Sequence, residues 1–214
     1  MNEQRLSRLF WLSGVLFVVL ELAGTFIGRE LVTMGDPTAK IVKTFSDTAG
    51  GQVWVGRYLE LISLVAFVVF AATLFRTRRD VVSTAGLLVA ACFAAVTAVS
   101  LAVGGVLEYR AGHGLGAQGI LVLFDLESAL YFASWGLAAG FLVLAPVAGW
   151  WRRSAIAIAA LSLVGLAMPT KSPGQFSVML FLIWILALSL SRARSAGAAV
   201  EYETRATGAP ELAR

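Results

Sequence analysis

Long apolar runs alternate with short polar and basic clusters along this chain of 214 residues. A transmembrane helix needs about 20 mostly apolar residues to cross the hydrocarbon core of a bilayer. The pattern therefore predicts six membrane-spanning helices and leaves no room for a soluble domain of useful size. We expect an all-α polytopic membrane bundle, with its spans at about residues 9–28, 53–75, 81–104, 119–147, 154–169 and 175–191.

The two ends of the chain set the expected limits of this bundle. The first apolar run follows the basic segment MNEQRLSRLF, as the apolar region of a signal peptide would. It continues through Glu21 to about Ile27 without a convincing small-residue cleavage site, so we expect a retained first span. The C-terminal residues are polar and low in aliphatics. We therefore predict a bundle over residues 1–192 and a disordered cytoplasmic tail over 193–214.

Composition supports a membrane protein and excludes several kinds of site. Hydrophobic residues make up 58% of the chain and charged residues 14%, whereas about a quarter of the residues in a soluble domain are charged. The net charge of +4 comes from basic clusters between apolar runs, which argues against nucleic-acid binding. Cys92 is the one cysteine and His113 the one histidine, so intrachain disulfides and multi-histidine metal centres are excluded. We predict no metal and no cofactor.

The basic residues predict the orientation of the spans, because Lys and Arg are enriched in cytoplasmic loops. Two ends and two loops that would share one side carry most of the arginines: Arg5, Arg8, Arg76, Arg78, Arg79, Arg152, Arg153, Arg192 and Arg194. The opposite side is more sparsely basic and mixed with acids: Arg29, Lys40, Lys43, Arg110 and Lys171, with Glu30, Asp36, Asp47 and Glu108. Both termini are therefore predicted to be cytoplasmic, and the location is predicted to be the inner membrane of a bacterium.

The longest connection is the outer loop over about residues 29–52, which contains the segment TAKIVKTFSDTA. This segment is compatible with a short interfacial helix or a lid over the bundle. An ordinary polar loop explains it equally well.

Carboxyl groups on three predicted spans lie at one depth. Glu21, Glu60 and Asp125 each lie about six to seven residues from the outer end of a span. At about 1.5 Å of rise per residue, all three are expected roughly 10 Å below the outer surface. A charge at the centre of a membrane helix costs about 2.5–3.5 kcal/mol on insertion scales, so such residues indicate a functional site. We predict Glu21, Glu60 and Asp125 as catalytic acids.

The fourth span carries a second acid, Glu127, two residues after Asp125. Residues two apart point to nearly opposite faces of a helix, so only one of the two is expected to enter the bundle. Ser128 and Phe132 flank Asp125, which favours Asp125 as the inward acid. Glu127 is then expected to pair with Arg110 or Arg57 near the interface.

A purely structural explanation stands beside the catalytic one. Arg57 and Glu60 are three residues apart on one helix and can neutralise each other. One arginine can pair with only one or two acids, however. We therefore expect at least one carboxyl among Glu21, Glu60 and Asp125 to keep its proton near neutral pH, which makes it a proton donor.

Aromatic residues surround the predicted acids, and several of them must face inward because they occupy different faces of one span. Aromatic faces attract a travelling positive charge, exclusion of water protects a carbocation, and a second carboxylate can remove the final proton. We predict these substrate-binding residues: Arg57, Tyr58, Phe67, Tyr131, Phe132, Trp135 and Phe17.

The acid-bearing segments GRYLELISL and LFDLESALYF resemble the corresponding parts of small bacterial integral-membrane terpene cyclases of meroterpenoid and prenylated indole alkaloid pathways. The resemblance implies proton-initiated cyclisation of a linear, farnesyl-type prenyl chain on an aromatic or peptide-derived head group, without metal or redox cofactor. It implies Glu60 and Asp125 as the essential acids. Arg57 departs from the cyclase pattern, and a guanidinium beside Glu60 would weaken that acid as a donor and favour Asp125. The implied partners are a lipophilic prenylated substrate and the bilayer, with no obligate protein partner.

Two other functions remain open. One is a substrate-binding subunit of a vitamin or small-solute uptake transporter, which has the same span number and an outer polar site. The GxxLEL pattern also resembles a broad family of six-span bacterial proteins without a characterised activity. Such a subunit docks through small residues, which the third span supplies, although ordinary helix packing explains them equally: Ala90, Ala91, Ala94, Ala95 and Ala98. A proton-coupled or structural membrane protein could use the same carboxyls.

Overall fold

The computed structural model of the chain describes residues 3–27, 32–47, 51–76, 80–167 and 173–208. Seven α-helices and no strands are found in these ranges. Their bounds are α1 Glu3–Phe26, α2 Thr38–Asp47, α3 Gly51–Phe75, α4 Val81–Ala111, α5 Ala117–Leu144, α6 Trp150–Ala167 and α7 Pro173–Gly208.

Five of these helices are long and apolar enough to cross a membrane. Their apolar stretches are Leu6–Phe26, Trp54–Phe75, Val81–Ala111, Ala117–Leu144 and Phe176–Ala196. The chain is therefore an integral membrane protein with an all-helical bundle, as predicted. The remaining long helix, α6, has 18 residues and begins with two tryptophans and two arginines, and it does not belong to these five.

The six long helices form a closed ring. Each packs against the next along the chain, α1 on α3, α3 on α4, α4 on α5, α5 on α6 and α6 on α7, and α7 closes the ring against α1. Phe67 of α3 is fully buried inside it. The ring centroids of Phe17, Phe93, Phe141 and Phe181 lie 4.9–6.2 Å from that of Phe67. Aromatic packing at these distances fills the interior on the α3 side.

Helices α1 and α3 touch through their backbones at two glycines. A Cβ atom on Gly24 would lie 2.7 Å from the carbonyl oxygen of Gly56, and a Cβ on Gly56 would lie 2.7 Å from that of Gly24. Any side chain at either position would force the helices apart, since small residues are what allow close approach of membrane helices. This crossing brings Glu21 on α1 next to the turn of α3 that contains Glu60.

Helix α2 lies against the end of α4 and the start of α5. Its Ile41 and Phe45 are buried with Leu107, Ile120 and Phe124 of those helices. Of the alternatives for the loop segment, a short helix is confirmed over Thr38–Asp47, whereas its use as a lid stays a prediction.

The turn that leads into α2 is held by Asp36. Its carboxylate accepts a hydrogen bond from the Thr33 backbone N–H at 2.8 Å and contacts Lys40 at 3.0 Å. The Thr33 hydrogen bond, followed by the Lys40 contact, lowers the pKa of Asp36 from its ordinary value of 3.8. The ionised form of this half-buried side chain therefore favours the turn.

Two helices extend beyond the predicted spans. Helix α4 ends at Ala111 rather than near residue 104, and α7 continues to Gly208. The sequence predicted disorder from residue 193, but residues 193–208 are helical. Low aliphatic content argues against a packed core but not against a helix, and this segment is rich in strong helix formers such as Ala, Arg and Glu.

Some predictions concern positions that the structure does not describe. Residues 209–214 of the predicted tail and residues 28–31 and 48–50 of the outer loop lie outside the described residues. The same holds for several charges used to predict the orientation: Arg29, Glu30, Arg78, Arg79 and Lys171, and the side chain of Arg5.

Candidate functional site

One guanidinium lies among three carboxylates inside the bundle. Arg57 of α3 is 5% exposed, and its nitrogens lie 3.6 Å from Glu60 on the same helix, 2.9 Å from Glu108 on α4 and 2.6 Å from Glu127 on α5. Glu60 and Glu108 are as deeply buried as the arginine. The contacts with Glu108 and Glu127 are charge-assisted hydrogen bonds, which are the strong class, and they join α3 to α4 and α5. We call these four residues the Arg57 cluster.

Gly104 of α4 makes space for the cluster. A Cβ atom at this position would clash with the Arg57 guanidinium and with the Glu127 carboxylate. The absence of a side chain at position 104 therefore lets the Arg57–Glu127 contact pass directly over the α4 backbone.

The inward acid of α5 is Glu127 and not Asp125. The side chain of Asp125 is exposed on the surface of α5, whereas Glu127 is bonded to Arg57. The prediction that Asp125 faces the bundle is wrong, and the expected pairing of Glu127 with Arg57 is confirmed. Because α5 is apolar on all sides, the spacing of its apolar residues does not mark its inward face, and the flanking Ser128 and Phe132 gave a misleading signal.

Glu108 is a member of the cluster that the sequence placed in an outer loop. Helix α4 runs about two turns further than predicted, which carries Glu108 inside the bundle. A signal was present in the spacing: Leu101, Gly104 and Glu108 follow at intervals of three and four, and all three are buried. A helical stripe of that kind extends the inward face of α4 to Glu108.

Glu21 of α1 is joined to α3 through Ser63. The Ser63 hydroxyl lies 2.7 Å from a carboxyl oxygen of Glu21 and 2.6 Å from the backbone carbonyl of Glu60. The Thr25 hydroxyl donates to the Glu60 carboxyl at 3.4 Å. Glu21 and Glu60 thus lie side by side, as predicted from their common depth, while Asp125 lies apart from them.

A cavity opens beside Glu21 in the interior of the ring. It is open on one side, its empty volume together with the open space there is about 450 Å³, and it is walled by α1, α4, α5, α6 and α7. Five aromatic residues line it: Phe17, Phe93, Tyr131, Trp135 and Phe181. Glu21 is the one carboxyl among the described residues that line it.

Hydroxyl groups are spread over the same walls. Thr97, Ser134 and Ser162 line the cavity, and each donates its hydroxyl proton to a carbonyl of its own helix at 2.7–3.0 Å. Their oxygens can then act only as acceptors toward a bound molecule. Trp135 is 6% exposed, and its indole N–H has no acceptor among the described residues.

The predicted substrate-binding residues divide between the cavity and other places. Three of them line the cavity: Phe17, Tyr131 and Trp135. Phe67 is in the core and Arg57 is in the Arg57 cluster. Phe132 is half-buried, and its ring centroid lies 5.0 Å from that of Trp135. Tyr58 is 61% exposed. Within the described ranges, no group of three or more His, Cys, Asp or Glu side chains is placed to hold a metal ion.

Comparisons of the chain with models of protein families, with curated proteins and with solved structures give no match. The arrangement must therefore be judged by its chemistry. A carboxyl that faces an apolar, aromatic-walled cavity can donate a proton to a bound alkene, and the aromatic faces can attract the positive charge that forms.

Proposed function

We propose that this protein is a membrane-embedded terpene cyclase that starts the cyclisation of a linear, farnesyl-type prenyl chain by donating a proton from Glu21. The observation that supports this proposal most directly is the position of Glu21, the one carboxyl on the described walls of a cavity otherwise formed by aromatic, aliphatic and hydroxyl side chains. The activity is the one implied by the resemblance of the two acid-bearing segments. The proton donor in this proposal, however, is Glu21 and not Asp125.

The reaction needs only a proton donor, a shaped apolar space and a proton acceptor. The carboxyl proton of Glu21 adds to an alkene carbon of the substrate, and the electron pair of the double bond forms the new C–H bond. A second alkene then attacks the carbocation and forms a C–C bond. The Glu21 carboxylate, which gave up its proton in the first step, takes a proton from a carbon next to the new cation, and the C–H electron pair forms the double bond that ends the reaction. The product is an isomer of the substrate. Phe17, Tyr131 and Trp135 are placed to stabilise the cation through their ring faces.

The Arg57 cluster has a positioning role in this proposal. Arg57 holds Glu60, and the turn of α3 that contains Glu60 carries Ser63, whose hydroxyl bonds to Glu21. The orientation of the Glu21 carboxyl toward the cavity therefore depends on the packing of α3 against α1. The cluster joins α3, α4 and α5 at the same time, so it also holds the cavity wall that α5 contributes.

The substrate would enter from the lipid. Tyr131 lines the cavity and is also 40% exposed at the outer surface of the helix bundle, so the cavity approaches the surrounding hydrocarbon there. The cavity is narrow, and a folded prenyl chain requires side chains around Tyr131 to move aside. Motion of a single ring at a lipid-facing wall is a small rearrangement compared with separation of helices.

The proposed topology has six spans with both termini in the cytoplasm of a bacterium, in its inner membrane. Helix α6 is the sixth span in this proposal. It packs between α5 and α7 in the ring, and its 18 residues cover about 27 Å, close to the thickness of the hydrocarbon core. Arg152 and Arg153 at its start would mark the cytoplasmic side.

Deuterium incorporation tests the proposed function. Membranes containing the protein are incubated with a farnesylated phenol or indole in D₂O, and the products are separated by liquid chromatography with mass detection. Proton-initiated cyclisation of an alkene places one solvent-derived deuterium on carbon, so the product should be a new isomer that is heavier by one mass unit. We expect Glu21→Gln to abolish this product and Asp47→Asn, a carboxyl-to-amide change at an exposed position of α2, to leave it.

Asp125→Asn is the discriminating variant in the same assay. If Asp125→Asn forms no product and Glu21→Gln still does, the proton donor is Asp125, as the sequence predicts, and the assignment to Glu21 is rejected. The alternative function, a substrate-binding subunit for uptake, predicts tight retention of a small solute without any new isomer. Of the small residues considered for docking in that alternative, Ala90 and Ala94 are buried inside the bundle, and Ala91 and Ala95 are exposed.

A further inference from the structure

The indole N–H of Trp135 is the most conspicuous unsatisfied group in the cavity. Only two tryptophans among the described residues are more than nine-tenths buried, Trp135 and Trp184. The indole of Trp184 donates to the carbonyl of Trp151 at 3.3 Å, whereas that of Trp135 has no acceptor in the part of the chain that the structure describes. Buried indole N–H groups are nearly always paired, so an orphan on a cavity wall indicates that a bound molecule supplies the acceptor.

The surrounding hydroxyl groups restrict what that acceptor can belong to. Thr97, Ser134 and Ser162 have given their protons to carbonyls of their own helices. These three hydroxyls therefore present acceptor oxygens to a ligand, and the Trp135 N–H is a donor for which the described residues supply no acceptor. A ligand group that both accepts and donates, such as an alcohol or a carboxamide, satisfies both kinds of partner, while a hydrocarbon satisfies neither.

We propose that Trp135 and the adjacent hydroxyls form a subsite for a hydroxyl or carboxamide group on an otherwise apolar ligand. The subsite gives the cavity an orientation: Glu21 acts on the apolar chain, and Trp135 fixes the polar end of the molecule. This inference deepens the proposed function and rests on it for the nature of the apolar chain. It does not depend on cyclisation, because the hydrogen bond is formed in the bound ground state.

Binding of two matched probes tests the subsite. Farnesol and farnesene share a branched C15 chain, and only the first carries a hydroxyl group. Their apparent Kd values are measured with the full chain in phosphatidylcholine nanodiscs, with binding to empty nanodiscs subtracted. We expect the wild-type protein to prefer farnesol by about 3- to 10-fold, the value of one net hydrogen bond. Trp135→Phe keeps an aromatic ring but removes the N–H, and it should bring the preference to about 1.

Trp150→Phe is the matched control, because Trp150 is 75% exposed at the start of α6 and away from the cavity. It should retain the wild-type preference. Equal binding of both probes by the wild-type protein, or an unchanged preference in Trp135→Phe, would overturn the subsite. Should the variant fail to fold, ¹⁵N spectra of the wild-type protein give the answer: one indole N–H resonance should move downfield with farnesol and not with farnesene, and no such movement rejects the inference.

The two proposals fail separately. The wild-type protein could form no deuterated product and still prefer farnesol in a way that depends on Trp135. This result would reject cyclisation and support the subsite. Cyclised product that requires Glu21, together with equal binding of farnesol and farnesene, would support the cyclase activity and reject the subsite. Glu21→Gln serves as a further check, since it should bind farnesol in preference to farnesene while forming no cyclised product.

Discussion

Arg57 and Glu127 form a part-buried ion pair 2.6 Å long between two helices, although they are 70 residues apart in the sequence. The same guanidinium contacts Glu60 and Glu108. Breaking a buried ion pair by removing one partner is costly because it leaves a charge without compensation.

Glu127→Gln should destabilise the bundle, and Asp125→Asn should not. The first change removes a charged partner of Arg57, which keeps Glu60 and Glu108, so we expect a loss of about 1–3 kcal/mol in the free energy of unfolding. The second change alters an exposed side chain and should stay within about 0.5 kcal/mol. Unfolding by SDS titration in detergent micelles measures both. Equal effects of the two substitutions would contradict the inward placement of Glu127.

Arg57→Met should be more harmful than any single change among its acidic partners. It removes the cation that contacts Glu60, Glu108 and Glu127 together, for which we expect a loss of about 3–5 kcal/mol. Adding Glu127→Gln to Arg57→Met removes one of these carboxyls. The double variant should therefore lose less than the sum of the two single losses, by about 0.5–3 kcal/mol. Strict additivity in the same titration would show that the two residues do not interact in the membrane.

Gly104→Ala should destabilise the protein while Gly105→Ala does not. A Cβ atom on Gly104 would clash with both members of the Arg57–Glu127 pair, so the pair must shift at a cost of about 1–3 kcal/mol. A Cβ on Gly105 would lie 3.4 Å from the ring of Trp54, which is an ordinary contact. Gly105→Ala also gains up to about 1 kcal/mol of helix propensity. Both variants change helix propensity by the same amount, so the difference between their free energies of unfolding reports the clash at Gly104 alone. If Gly104→Ala does not destabilise the protein, the Arg57–Glu127 pair does not lie against the α4 backbone.

Asp36 should confer a pH dependence on the turn before α2. Its pKa in the folded protein lies below the ordinary value of 3.8, mainly because of the hydrogen bond from the Thr33 N–H. The contribution of the ionised carboxylate to the turn is therefore present above pH 3.8 and lost as the pH falls through the lower, folded pKa. Hydrogen exchange of the Thr33 amide measures this.

The Thr33 amide should exchange faster in Asp36→Asn than in the parent protein, and the difference should vanish in acid. Asp47→Asn, a change of the same kind at an exposed position of α2, provides the control. A pH-independent rate ratio between Asp36→Asn and the parent would exclude the carboxylate as the acceptor.

The amino-acid sequence alone is enough to identify the chain as a helical membrane protein. Five of the six predicted runs coincide with long apolar helices, because length and apolarity are local properties that one segment displays on its own. The sequence also placed Glu21 and Glu60 at one depth, which the Ser63 contact between α1 and α3 supports. Depth follows from counting residues along a helix of known rise.

Which side of each helix faces inward, by contrast, follows from the packing of the helices against one another. In a membrane both faces of a helix are apolar, so the periodicity that marks the core of a soluble protein is missing. The sequence pattern therefore predicts Asp125 as the inward acid, whereas Glu127 contacts Arg57. It also predicts a loop at Glu108, whereas α4 continues through this residue and brings it into the Arg57 cluster. The cavity beside Glu21 and the unsatisfied N–H of Trp135 depend on five helices meeting in a ring. No single segment encodes that meeting, because it arises from close contacts between residues that are distant in sequence, such as Gly24 with Gly56.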